Sequence, residues 1–276
     1  MTQEATNKVK NFMELEKEVS INEQIKEEPA MPVDEEVKSQ EKRKQISRLI
    51  SLVEEGDLRH VQEFLLDKKI GVNVQDEKGL SPLMVAARNG RVRLTEYMIE
   101  NQADLDLIDE KGKTALMMAI SNGYNRTAQL LMETGAGLNI QTKNGLTALM
   151  KAVQKGDMDM VEGLVKRGAD LDQQDCYGLT ALMHAVQSGF NDLVLFLIVS
   201  GADMDKKDVT GKTATDWANA FSHVECMRLL LQIQEERAET KSQTQPSNEE
   251  EGFVAPQKIC SSTPIIFVQK TLENEG

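Results

Sequence analysis

The chain has 276 residues, 40% apolar and 28% charged but only 4% aromatic, so any core must be built from Leu, Met, Val, Ile and Ala. Its net charge of −13 excludes a protein that coats nucleic acid non-specifically. Three cysteines at unpaired spacings, with no Cys/His cluster beside them, exclude a disulfide-stapled scaffold or a zinc module.

Residues 1–43 are rich in Glu and Lys, carry Pro29 and Pro32, and predict a disordered acidic tail. Residues 1–10 lack the apolar segment of a signal peptide, and the longest apolar run, 193–199, is far shorter than the ~20 residues that cross a bilayer. We therefore expect a soluble intracellular protein of the cytoplasm, the nucleus or both, without membrane insertion. Within the tail, Ile25-Lys26-Glu27-Glu28 resembles a site for attachment of a small ubiquitin-like modifier at Lys26, which implies time in the nucleus. Val9, Phe12, Leu15 and Val19 have the spacing of one weak amphipathic helix. Residues 44–75 read as a degenerate opening unit with helices at 46–53 and 58–66.

From there a period of 33 governs the chain. Gly79, Gly112, Gly145, Gly178 and Gly211 recur at that interval, as do Gly90, Gly123, Gly156 and Gly189, and again Gly135, Gly168 and Gly201. Gln102 stands where the third series would begin. Each first Gly sits in a turn that opens on Asp76, Asp109, Asp175 or Asp208, with Thr142 the exception. Such a turn needs a residue that tolerates positive φ. Ser81, Thr114, Thr147 and Thr180 follow where an N-cap belongs, and Pro82 takes the first helical position, where its missing N–H costs nothing. Leu and Ala at helical spacing (Leu83, Ala86, Ala87) then form a narrow seam, the second Gly ends the short helix, and a second amphipathic helix follows. The units are predicted at 44–75, 76–108, 109–141, 142–174, 175–207 and 208–234, together one repeat domain over 44–234. In the last, Asp216 breaks a Met pattern and Ser222 replaces the second Gly, changes that suit a terminal cap.

A turn and two helices every 33 residues, opening on a T-P-L-H-x-A-like motif, resembles the ankyrin repeat. The resemblance implies an all-α solenoid of helix–turn–helix units with short hairpin-like turns, which holds another protein through its concave face and turn tips. Met84, Met117, Met150 and Met183 stand where the family has His, and Ala115, Ala148 and Ala181 replace Pro. The interior is therefore expected to be softer and more purely hydrophobic.

The positions free to specify a partner include Lys78, Leu80, Arg88, Lys111, Lys113, Lys143, Leu146, Lys155, Tyr177, Leu179 and Lys212. The whole variable face carries +5 within residues 46–234, whose sum is −6, so a locally basic, Leu-dotted surface lies on an acidic body. An acidic peptide segment with apolar anchors is the partner such a face suits. His184 reads as a structural or partner-contacting residue, Cys176 as an inert surface thiol, and the Met series as core rather than a metal site. Asn139 resembles a site of asparagine hydroxylation, against the simpler reading that it caps its turn.

Residues 235–276 predict a second disordered tail, rich in Glu, Ser, Thr and Gln. Ser247 before Glu249, Glu250 and Glu251 resembles an acidophilic-kinase site, and Thr263-Pro264 a proline-directed one. The apolar island 264–268 has the character of a docking peptide.

No phosphate loop, nucleophile pair or metal constellation appears, so no cofactor, no metal and no catalysis are expected. The function expected is a monomeric interaction scaffold or adaptor for another protein, with no direct hold on nucleic acid. A nuclear transcription or chromatin regulator, or an anchor for a cytoskeletal or membrane protein, are the narrower alternatives.

Overall fold

The computed structural model describes residues 33–68 and 70–243. Six helix pairs follow in chain order, with no strand among the described residues. They are α1 (Val33–Glu55) with α2 (Leu58–Lys68), α3 (Pro82–Arg88) with α4 (Val92–Glu100), and α5 (Ala115–Asn122) with α6 (Asn125–Glu133). Then come α7 (Ala148–Lys155) with α8 (Met158–Lys166), α9 (Ala181–Ser188) with α10 (Asn191–Val199), and α11 (Ala214–Ala220) with α12 (Val224–Gln243).

The same hydroxyl opens every short helix. Ser81, Thr114, Thr147, Thr180 and Thr213 lie in extended backbone, and each accepts a hydrogen bond from the N–H three residues on. That satisfies one of the orphan donors at a helix start. Gly123, Gly156 and Gly189 close three of these helices in left-handed conformation. The short helices α3, α5, α7, α9 and α11, with α1 ahead of them, pack each on the next, and α2, α4, α6, α8 and α10 lean on the outside of their own partners. Met84, Met117, Met150 and Met183 are all buried between these layers, beside Leu83, Leu116, Leu149 and Leu182.

The turns are stacked as tightly as the helices. The N–H groups of Glu110, Lys143, Cys176 and Val209 each donate to the carbonyl of the residue just before the tip Gly of the preceding turn (Lys78, Lys111, Asn144 and Tyr177), at 3.0–3.1 Å. A side chain on Gly145 would collide with this arrangement, since its Cβ would lie 2.7 Å from the Asp175 Cα, and its φ is +75°. On the far side, Tyr124 and Phe190 crowd the space over Gly90 and Gly156 of the unit before.

Inside each turn the Asp does two jobs. One carboxylate oxygen of Asp76, Asp109, Asp175 and Asp208 accepts the N–H groups two and four residues on. The other reaches nine residues ahead where a donor stands there, to His184 Nε2 at 3.0 Å or to Trp217 Nε1 at 3.0 Å. Gln154 Nε2 lies 3.4 Å from the other ring nitrogen of His184. A neutral ring with its proton on Nε2 satisfies both partners, because Asp175 can only accept and the Gln154 amide donates. Burial, more than the opposing pull of Asp175, holds the His184 pKa below its ordinary value, and the nearby Lys151 acts in the same direction.

Two boundaries differ from expectation. The first helix begins at Val33 and so crosses the expected tail boundary at 43/44, and the last runs to Gln243, past 234. The Glu, Lys, Arg and Gln that mark these segments as polar are also good helix formers, and they extend helices already nucleated by buried residues such as Leu49, Val53, Cys226 and Leu230. The described residues fall into two compact units, 33–231 and the part from Gln232 onward. In the latter, Gln232 donates to Glu236 one helical turn on, at 3.1 Å.

Gln102 and Ser222, the two residues that replace glycines of the repeat, take those glycines' left-handed backbone, with φ of 60° and 57°. Left-handed backbone costs a side-chain-bearing residue roughly 1–2 kcal/mol, against a smaller entropic cost of glycine. Gln102→Gly should therefore raise the unfolding free energy by about 0.5–1 kcal/mol, and Gly145→Ala should lower it by more than about 2 kcal/mol. Urea titration of both variants checks the pair, and the idea fails if Gln102→Gly gains nothing. A folded His184 that resists protonation binds fewer protons than the unfolded chain below about pH 6.5. Stability should thus fall as the pH is lowered through that range, and His184→Gln should flatten the fall between about pH 7.5 and 5. Parallel slopes in the two proteins would show that His184 contributes nothing to it.

Candidate partner-binding groove

Because every turn is pinned to the next by a backbone hydrogen bond, residues at equivalent places form columns with fixed spacing. Four expected cations meet in one place. Lys78, Arg88, Lys111 and Lys113 line a groove of about 370 Å³ with Leu80, Met118, Ser121, Asn122, Asp109 and Glu110. The two carboxylates do not cancel this basic character equally. Asp109 already accepts the N–H groups of Lys111 and Lys113, while Glu110 is exposed at the tip.

Arg88 is less available than its position in the sequence suggests. Its guanidinium sits 2.6 Å from Glu54 of α1, in a pair that is partly exposed. Lys78, Lys111 and Lys113 form no such ion pair among the described residues. They are the free charges of the groove.

The expected apolar anchors need correction. Leu80 and Leu179 are buried, not displayed, with 9% and 7% of their surface exposed. The cause is the turn itself. Each donates its N–H to the turn Asp and accepts that Asp's own N–H, which folds the side chain under the tip. Leu146 is half-buried for the same reason, with Thr142 in the place of Asp. Tyr177, at 66% exposure, and Val209, at 70%, are the apolar groups that do project from the tips.

Lys143 and Lys155 are exposed further along the stack. Lys212 lies over the Trp217 ring, 5.4 Å from its centre. The Asn139 side chain accepts the N–H of Asp170 in the next unit at 2.9 Å, so it joins two units. Lys26, Ser247, Thr263 and the apolar island at 264–268 lie outside the described residues. So does the segment from Val9 to Val19.

Several working residues escaped the sequence reading. Gln75, Gln141 and Gln174 each donate to two backbone carbonyls, one in their own turn and one 33 residues on. Their spacing of 66 and 33 was a readable signal. Met118, Lys151, His184 and Trp217 form a second column beside the turns, readable at the same interval. Among the described residues no group of three or more His, Cys, Asp or Glu could hold a metal ion, and no helix is long and apolar enough to cross a membrane.

These features agree with comparisons to known proteins. A family model described as ankyrin repeats (3 copies) matches residues 49–143, 122–208 and 149–244. Among solved structures, the chain is similar to one from Bdellovibrio bacteriovorus titled as the Bd0816 predatory endopeptidase in complex with immunity protein Bd3460. The two are 31% identical with a TM-score of 0.61, over 67% of this chain and 96% of that one. No curated protein matches the chain. In all, 653 chains of solved structures match, so the fold alone cannot single out a partner. Ankyrin repeats are in general modules of protein–protein interaction rather than of catalysis. With the 33-residue period, the capped helix pairs and the stacked turns in place, the chain belongs to the ankyrin-repeat family.

Proposed function

We propose that this protein is a non-enzymatic adaptor that holds an acidic segment of another protein across its turn tips and concave groove. The observation that carries this reading is the convergence of Lys78, Lys111 and Lys113 on one groove without ion-pair partners, in a chain whose net charge is −13. An acidic chain gains nothing in solubility from clustering unpaired cations on one face. It does gain attraction for a partner of the opposite sign, together with rejection of basic ones. Tyr177 and Val209, projecting from the later tips, supply apolar contacts that charge alone would not. The similar solved structure, titled as an endopeptidase with an immunity protein, supports a role in holding a protein.

The test is charge reversal at the tips, with Lys111, Lys113 and Lys143 all changed to Glu. All three are at least partly exposed, so the variant should melt within a few degrees of the natural protein. Proteins captured by the natural chain from an extract should bind the variant at least about tenfold more weakly, and binding to the natural chain should weaken with added salt. Undiminished capture by a folded variant would sink the proposal.

A further inference from the structure

One place in the stack carries a cation where its sisters carry a neutral side chain. The column nine residues after each turn's opening residue reads Val85, Met118, Lys151, His184, Trp217. Two of these, His184 and Trp217, are polar donors, and each is met by the free carboxylate oxygen of its own turn Asp at 3.0 Å. Lys151 is the third donor of the column, and its turn has no carboxylate to offer. Thr142 stands there instead, with its hydroxyl oxygen taken up by the N–H of Leu146 at 3.0 Å.

The surroundings of Lys151 do not make up the loss. Its ammonium has a side-chain contact with Gln154 Oε1 at 3.4 Å, and no carboxylate forms an ion pair with it among the described residues. The groups facing it are Lys113 from the turn before, the neutral His184 from the next helix, and Gln154 from its own. Burial first, and then Lys113, push its pKa below the usual lysine range. A half-buried cation beside a second cation is costly to hold unless something negative visits it.

Resting on the groove reading above, we propose that Lys151 and Lys113 form a receptor for one carboxylate of a bound peptide segment. That carboxylate, from an Asp or Glu of the partner, takes the place of the one that Thr142 does not supply. Buried Met118 on one side and His184 on the other give the arriving side chain a largely uncharged lane, in which the ammonium groups are the strong donors. The subsite thus fixes the register of an acidic segment along the stack, a task that exposed tip lysines perform poorly.

The experiment uses the full chain with its lysines reductively dimethylated with ¹³C-formaldehyde, which keeps their charge, and N-acetylated hexaglutamate as the probe. Single Lys→Arg variants assign the methyl signals of Lys151, Lys111 and Lys143. The probe should move the Lys151 signal and raise its titration midpoint. Thr142→Asp, which installs the carboxylate the other turns already carry, should raise the melting temperature and abolish the probe's effect at Lys151, while Lys111 and Lys143 respond as before. Lys151→Gln should weaken binding of the probe by about tenfold without loss of fold. A Lys151 signal that the probe leaves still, or one that responds equally in the Thr142→Asp protein, overturns the subsite. If Lys111 and Lys143 respond in that case, the groove reading stands without it; if they too are silent, both fall.

Discussion

Everything in this molecule hangs on the backbone hydrogen bond that ties each turn tip to the one before. No pair of short helices here is long enough to persist alone in water, since an isolated helix needs about 12–15 residues even to be marginal. Stability comes from stacking, and stacking requires that every unit arrive at the same height and angle. The hydrogen bonds between Glu110 and Lys78, Lys143 and Lys111, Cys176 and Asn144, and Val209 and Tyr177 set that height. They close only because the tip glycines leave room for the next backbone. Once they are closed, the methionines and leucines of adjacent layers meet without choice of register.

The same constraint makes a binding surface out of residues that have no part in the core. A side chain on a stacked tip is carried by a rigid comb, so the distance from Lys78 to Lys111 is fixed by architecture and not by their own preferences. That is a form of preorganisation: the order has been imposed during folding, and less remains to be lost on binding. It also explains why the site can be basic on an acidic protein. Charges at the tips are separated from the Glu and Asp of the outer helices by a layer of buried methionine and leucine.

Local chemistry was legible in the chain, and long-range geometry was not. The glycine period, the hydroxyl caps and Pro82 each act within a few residues, and each sits where the spacing places it. Leu80 and Leu179 misled because they are variable in identity and adjacent to a tip, yet the turn's own hydrogen bonds rotate them inward. The pairing of Arg88 with Glu54 crosses 34 positions and breaks the period, so nothing in the repeat pattern announces it. The extra length of the first and last helices was hidden for another reason. Composition alone separates apolar from polar, and it does not separate a disordered polar segment from a polar helix that has a buried end to grow from.

The units are alike enough to be counted but not alike enough to be interchangeable. Where Gln75, Gln141 and Gln174 bridge neighbouring turns, the equivalent position between the units at 109–141 and 142–174 is Ile108, which can donate nothing. At that same junction the aromatic ring that covers Gly90 or Gly156 is replaced by Asp157, whose carboxylate accepts a side-chain hydrogen bond from Asn125 at 2.8 Å. In a linear array each neighbour contact enters the partition function as its own coupling, and cooperativity is only as long-ranged as the smallest of them. Two repeated ties missing from one seam make that seam the natural place for a domain wall between folded and unfolded segments. The basic groove lies on the N-terminal side of that seam and the exposed ring of Tyr177 on the other.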